Sequence, residues 1–233
     1  SAPWLKYYGD TPHHLDYPSK TIYEMVKAAA DQFPKNDAYE FMGKKTTFAQ
    51  FTQKIDNVAR AFLALGIHKG DRVTICMPNC PQAVCSFYAL NRIGAVSNMI
   101  HPLSAAGEIR FYLNFSHSKA VLTLDQFYSK VAEAEKTYPV KKVIITSAAD
   151  ELGAVKSAAF KLMNAKKNKV NKADASVIFW KDFIGNGKKV DLAKYIVHMP
   201  ANETAVILFS GGTTGVTKGI HCLLYTSDAA DEL

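Results

Sequence analysis

Apolar positions along the chain follow first a helical and then an alternating helix–strand pattern. Ile22, Met25, Val26, Ala29 and Phe33 recur at helical spacing, and Thr21 with Glu24 forms a capping box at the start of that run. Residues 38–42, the turn Gly43-Lys44-Lys45 and then Thr46-Thr47-Phe48 predict a hairpin. Thr47 and Gln50 make a second capping box. Phe48, Phe51, Ile55, Val58, Phe62 and Leu65 follow it at steps of three and four, so all six share one helix face, and Gly66 supplies the left-handed stop. Short apolar runs at 73–77, 95–100, 121–124 and 143–145 predict strands. Between them lie helices at 82–93, with Pro81 suited to the first turn, from a cap at Ser104 through Tyr112 and Leu113, and at 127–137. The pattern lapses over 150–175, and strands resume at 176–180 and 205–209. This alternation predicts an α/β fold, a mostly parallel sheet flanked by helices.

Composition narrows the class. The 233 residues are 48% apolar and 21% charged, enough to bury a core. No apolar run reaches the roughly 18 residues that span a bilayer, and Ser1 to Lys6 lacks the basic-then-apolar order of a secretory signal. Cys76, Cys80 and Cys85 sit in an apolar stretch at a spacing that fits no common zinc or redox pattern. With Cys222 they read as reduced thiols, the first three buried, of a cytoplasmic protein.

The net charge is +7. Setting aside the last twelve residues removes Asp228, Asp231 and Glu232 and no cation, which raises it to +10. Such a surplus suits a phosphate-bearing partner without choosing one. Lys156, Lys161, Lys166, Lys167, Lys169 and Lys172 form a cluster that reads as a solvated surface, with a peripheral contact to anionic membrane as the other reading. No aromatic-interleaved basic motif points to nucleic acid. The histidines share no spacing that suggests a metal, and Phe111, Tyr112 and Phe115, at helical spacing, are expected in the core.

One segment carries chemistry. The apolar strand 205–209 runs directly into Ser210-Gly211-Gly212-Thr213-Thr214-Gly215-Val216-Thr217-Lys218-Gly219. The glycines free backbone N–H groups to converge on one anion, the hydroxyls of Thr213 and Thr214 add donors, and Lys218 adds a full charge. Thr217 stands where the Walker pattern needs glycine, so this is a different phosphate loop.

The segment resembles the signature of the adenylate-forming (AMP-binding) superfamily, Ser/Thr-Gly-Thr-Thr-Gly-x-Pro-Lys-Gly. Thr217 replaces the usual proline, and Gly211-Gly212 resembles the fatty-acyl branch. Upstream pieces agree in order: Thr46 to Phe51, Leu65 to Val73, Met77 to Pro81, Ile93 to Val96, and His101-Pro102-Leu103 followed by Glu108-Ile109. The resemblance covers about residues 15–221 and identifies an AMP-forming acyl-CoA synthetase, long-chain fatty-acid-CoA ligase-like, with residues 1–221 as the front of its adenylation domain.

The resemblance implies attack of a carboxylate on the α-phosphate of ATP, release of pyrophosphate, and transfer of the acyl group to coenzyme A. Ser210, Gly211, Gly212, Thr213, Thr214, Gly215 and Lys218 would hold the phosphates, with Mg²⁺ sharing their charge. The family's other binding and catalytic groups, and its mobile C-terminal domain, lie downstream, so this chain by itself is expected to be inactive. Residues 222–233 depart from the family pattern and resemble translated sequencing-library adapter; they are set aside as non-native. Alternatives left open are activation of an aryl or amino acid, and a basic module that binds membrane or nucleic acid.

Overall fold

The computed structural model describes residues 3–12, 20–164, 170–195, 197, 203–210 and 217–223. After a short 3-10 turn at Leu5–Tyr7, α1 spans Ile22–Gln32. Its capping box forms as the sequence predicts: the Glu24 N–H donates to Thr21 Oγ1 at 3.2 Å and the Thr21 N–H to Glu24 Oε2 at 2.7 Å. The buried residues are Tyr23 and Ala30, while Met25 is 52% exposed, so the helix is rotated from the face its aliphatic spacing predicts. Tyr23 decides the rotation. Its N–H donates to the buried Asn91 Oδ1 at 2.9 Å, and its hydroxyl joins Asp56 and Arg92.

Strands β1 (Asp37–Phe41) and β2 (Lys44–Thr47) form the expected antiparallel hairpin. Met42 and Gly43 turn it with φ of 52° and 81°, the paired positive φ of a type I′ turn. Helix α2 (Phe48–Ala64) starts on the Thr47–Gln50 capping box and ends before Gly66, whose φ is 78°. Phe51, Ile55, Val58 and Phe62 are buried as the spacing predicts. Ala59, Ala61 and Leu63 are buried too.

Then come β3 (Arg72–Cys76), α3 (Pro81–Arg92), β4 (Val96–Ile100), α4 (Ala106–Ser116), β5 (Ala120–Leu124), α5 (Tyr128–Glu135) and β6 (Lys142–Thr146). Next are α6 (Ala154–Asn164), β7 (Val177–Phe179), α7 (Trp180–Asn186), β8 (Thr204–Ser210) and β9 (Lys218–Leu223). The cap of α4 is Ala105 rather than Ser104. Glu108 supplies the stabilising contact instead, its carboxylate accepting the Ala105 N–H at 2.8 Å.

Seven strands form one sheet in the order β7-β6-β5-β3-β4-β8-β9, parallel except for β9, which returns antiparallel to β8. Alternation along the strands splits the core. Val73, Ile75, Leu122 and Ile144 pack with Phe62, Leu90 and Phe183 on one face. Cys76, Val121, Val143 and Ile145 pack with Ile109, Leu113, Tyr128 and Val131 on the other. Thr74, on that second face, joins a buried polar group instead. Asn98 Nδ2 donates to Thr74 Oγ1 at 2.7 Å and to Ser116 Oγ at 3.0 Å, and the Ser118 hydroxyl lies 2.6 Å from Thr74 Oγ1.

Candidate phosphate-binding site

Parallel strands place all their carboxyl ends along one rim, where open α/β sheets bind ligands. Strand β8 reaches that rim through buried Ala205, Val206 and Ile207. An ion pair of Lys69 with Glu203, at 3.0 Å, ties its entry to the approach of β3. The chain leaves the sheet after Ser210 and re-enters at Lys218, and these two residues are direct partners in the β8–β9 register. Of the expected phosphate-binding residues, the structure therefore sets Ser210 and Lys218 opposite one another at the mouth of a hairpin. Gly211, Gly212, Thr213, Thr214 and Gly215 lie outside the described residues.

Lys218 is exposed, and among the described residues no carboxylate pairs with its ammonium. Other surface lysines are committed: Lys119 pairs with Asp71 and Lys45 with Asp37. An unpaired ammonium opposite a hydroxyl is a donor set suited to an anion such as phosphate.

Under the hairpin stems lies an aromatic platform. Phe209 stacks on Tyr112 with ring centroids 4.3 Å apart and meets Phe115 edge-on at 5.6 Å. The core expectation for α4 is corrected here: Phe111 and Phe115 are each 43% exposed, and Phe115 lies against Phe209 of β8 and Gly219 of the edge strand β9 rather than under the middle of the sheet. On the opposite face Leu208 and Ile220 are 42% and 48% exposed.

The remaining rim loops are self-satisfied to differing degrees. His101 Nδ1 accepts the Leu103 N–H at 3.2 Å, and Lys130 donates to the Leu103 carbonyl at 2.9 Å. Gln82 Nε2 donates to the Ser147 carbonyl at 2.9 Å and to Thr146 Oγ1 at 3.2 Å, tying α3 to the end of β6. Burial pushes the Cys76 and Cys85 thiols up to about 12 and raises that of Cys80 as well. These thiols are packing groups rather than nucleophiles at neutral pH. Among the described residues no group of three or more His, Cys, Asp or Glu is placed to hold a metal ion.

A cavity of about 310 Å³ lies between the β1–β2 hairpin and α3, and among the described residues it shares no lining residue with the stems at Ser210 and Lys218. In the lysine cluster, Lys156 donates to the Met42 carbonyl at 3.2 Å. Lys166, Lys167 and Lys169 lie outside the described residues, as does the side chain of Lys161. No helix among the described residues is long and apolar enough to cross a membrane.

Sequence reasoning missed β9 and α7. The signal for β9 was present in the alternation of Ile220 and Cys222 after Lys218. Cys222, set aside above, is the register partner of Val206. The signal for α7 was masked because Val177 to Trp180 reads as one continuous apolar run.

Comparison with known proteins bears on the fold and the family. The chain is 31% identical over 219 residues to a long-chain-fatty-acid--CoA ligase of Bacillus subtilis, a match covering 94% of this chain and 39% of the relative. The chain thus spans about two fifths of the length of the curated relatives it matches. Its fold is shared with a long-chain-fatty-acid-CoA ligase from Archaeoglobus fulgidus, at TM-score 0.67 and 20% identity over 90% of this chain and 38% of that one. A benzoate CoA ligase from Burkholderia xenovorans LB400 also matches at TM-score 0.67, with 15% identity over 88% of this chain and 35% of its own. The profile of the family described as AMP-binding enzyme matches residues 26–222, from within α1 to within β9. With that match covering both the sheet and the stems of the candidate loop, the chain belongs to the AMP-binding enzyme family.

Proposed function

We propose that this chain is the front part of an ATP-dependent acyl-CoA synthetase that activates a carboxylic acid, of the fatty-acid class, and transfers it to coenzyme A. The observation that carries this reading is the register pairing of Ser210 with Lys218, which brings a hydroxyl and an ammonium to opposite stems of one loop at the ligand-binding rim. Ser210, Gly211, Gly212, Thr213, Thr214, Gly215 and Lys218 are proposed to hold the phosphates of ATP. As the substrate carboxylate attacks the α-phosphate, negative charge grows on the departing pyrophosphate. A donor set fixed before the reaction stabilises that charge without reorganising. Lys218 supplies the full positive charge and Ser210 a hydrogen bond; Mg²⁺ bound with the nucleotide would add charge neutralisation.

Fatty acid rather than aryl or amino acid is supported by the Bacillus subtilis relative and by the doubled glycine at 211–212. A cytoplasmic setting with a peripheral contact to anionic lipid through Lys156–Lys172 belongs to the same reading. Co-sedimentation with anionic vesicles that persists unchanged at high salt, or is absent at low salt, would remove that part.

The test uses the longer gene product: pyrophosphate release and thioester formation with a panel of fatty, aryl and amino acids. Release that depends on a fatty acid supports the reading, and no release with any carboxylate overturns it. The same assay on the 233-residue chain alone is expected to give no acyl-CoA.

A further inference from the structure

The two stems of the loop meet at one side chain. Phe209, the last residue before Ser210, and Gly219, the first after Lys218, are register partners, and both face α4. Phe115 of α4 packs edge-on to the Phe209 ring at 5.6 Å. The same ring lies against Gly219 so closely that a Cβ there would sit 2.4 Å from Cε1, 2.7 Å from Cζ and 3.3 Å from Cδ1. Real Cβ atoms do not approach within 3.0 Å. Gly219 does not have the positive φ that marks five other glycines among the described residues, so this position demands space rather than backbone freedom.

We propose that Phe115 and Gly219 form a ring-against-backbone clamp that fixes the spacing of the two stems, which makes Phe115 a positioning residue for Lys218 opposite Ser210. The inference rests on the phosphate reading above and deepens it. A methyl group at 219 has two ways out. The Phe115 ring, 43% exposed and so free to swing, can leave its edge-on position against Phe209. Otherwise β9 lifts away from α4 and carries Lys218 with it. Either way Lys218 loses its fixed place opposite Ser210, because the hairpin's other face is open to solvent at Leu208 and Ile220. Phe209 keeps its stack on Tyr112, so the β8 stem stays put and the displacement falls on β9.

The clamp predicts a size-complementary rescue. Magnesium pyrophosphate is titrated into the full chain and into Gly219→Ala, Phe115→Ala and the double variant, with amide hydrogen exchange followed at Ser210, Lys218 and Ile220. Gly219→Ala should weaken binding about tenfold and speed exchange at the β9 amides, and Phe115→Ala should weaken it about threefold. The double variant, in which the methyl group occupies the space the ring vacates, should return to within about threefold of wild type. Its exchange should slow again. A role confined to stability would instead make the two substitutions add. Additive losses, or pyrophosphate bound equally by wild type and Gly219→Ala, overturn the clamp and leave the phosphate reading standing. A wild-type chain that takes no pyrophosphate overturns the phosphate reading and the clamp's role in binding, while the exchange data still decide whether the ring holds the stems.

Discussion

The middle of the sheet and its β8–β9 edge are made of similar residues but differ in what covers them. Ile75, Leu122 and Ile144 in β3, β5 and β6 are completely buried, with α2 and α3 on their side and α4 and α5 on the other. Leu208 and Ile220 in β8 and β9 are nearly half exposed, while the other face of that hairpin packs against Tyr112 and Phe115 of α4. The chemistry-bearing loop is attached to the less covered part. A scaffold closed on both faces holds position, while an edge held on one face is drawn from the low-stability end of the molecule, where binding segments belong. The difference also explains why a single aromatic residue, Phe115, can matter to the loop when its own burial is modest.

The sharpest way to break the comparison is truncation on each side. Leu122→Ala should cost about 3–5 kcal/mol in urea unfolding, since the cavity it leaves is enclosed by packed neighbours. Leu208→Ala should cost less than about 1 kcal/mol, because the removed methyl groups already meet solvent. Equal losses at the two sites would show that the edge is as well packed as the middle.

Alkaline titration separates the regions by another route. Cys76 and Cys85 have thiols pushed from the ordinary 9.0 to about 12 by burial. A thiol whose pKa is raised on folding keeps its proton in the folded chain after the unfolded chain has lost it. Rising pH therefore favours unfolding from about 9 up to about 12, and stability is unaffected by these groups below 9. The expected loss is about 1.4 kcal/mol for each cysteine by pH 10, measured as a shift in urea midpoint. Cys222, half-buried in β9, should react with a thiol reagent in the folded chain, whereas Cys76, Cys80 and Cys85 should wait for unfolding. Simultaneous reaction of all four would contradict the difference.

Smaller effects test what locks the covered half. Thr74→Val removes the hydroxyl shared by Asn98 and Ser118 and should cost about 1–3 kcal/mol, since their polar atoms stay buried with fewer partners. Thr47→Ala should cost about 1 kcal/mol by stripping one half of the α2 capping box. Neither should alter pyrophosphate affinity.

The covered half was also the half legible in the sequence. Six residues at steps of three and four fixed α2, and Thr47–Gln50 marked its start to the residue. The apolar runs at 73–77 and 121–124 announced strands buried on both faces. What stayed hidden depended on partners distant in sequence. Tyr23 turns α1 away from its aliphatic face because it meets Asn91 and Arg92, neither of which local spacing can reveal. Ser104 had the chemistry of a cap, but the helix begins one residue later, where Glu108 can reach back. At the site, residue types pointed to a phosphate loop; its return stem, β9 from Lys218, was missed, and only the entering stem β8, read as the apolar run 205–209, was legible. The closeness of Gly219 to Phe115 was not, because it requires knowing that α4 crosses over β9.

Whether the 210–218 segment holds phosphate is tested most directly by calorimetric titration of magnesium pyrophosphate into the chain and two lysine variants. Lys218→Ala should bind at least about tenfold more weakly than wild type with an unchanged melting midpoint, as expected for losing one charge-assisted bond from an exposed side chain. Lys156→Ala, which removes an equal charge at the Met42 carbonyl, should bind as wild type does. Equal affinity in all three proteins, or equal weakening in both variants, would contradict a phosphate site built on this loop.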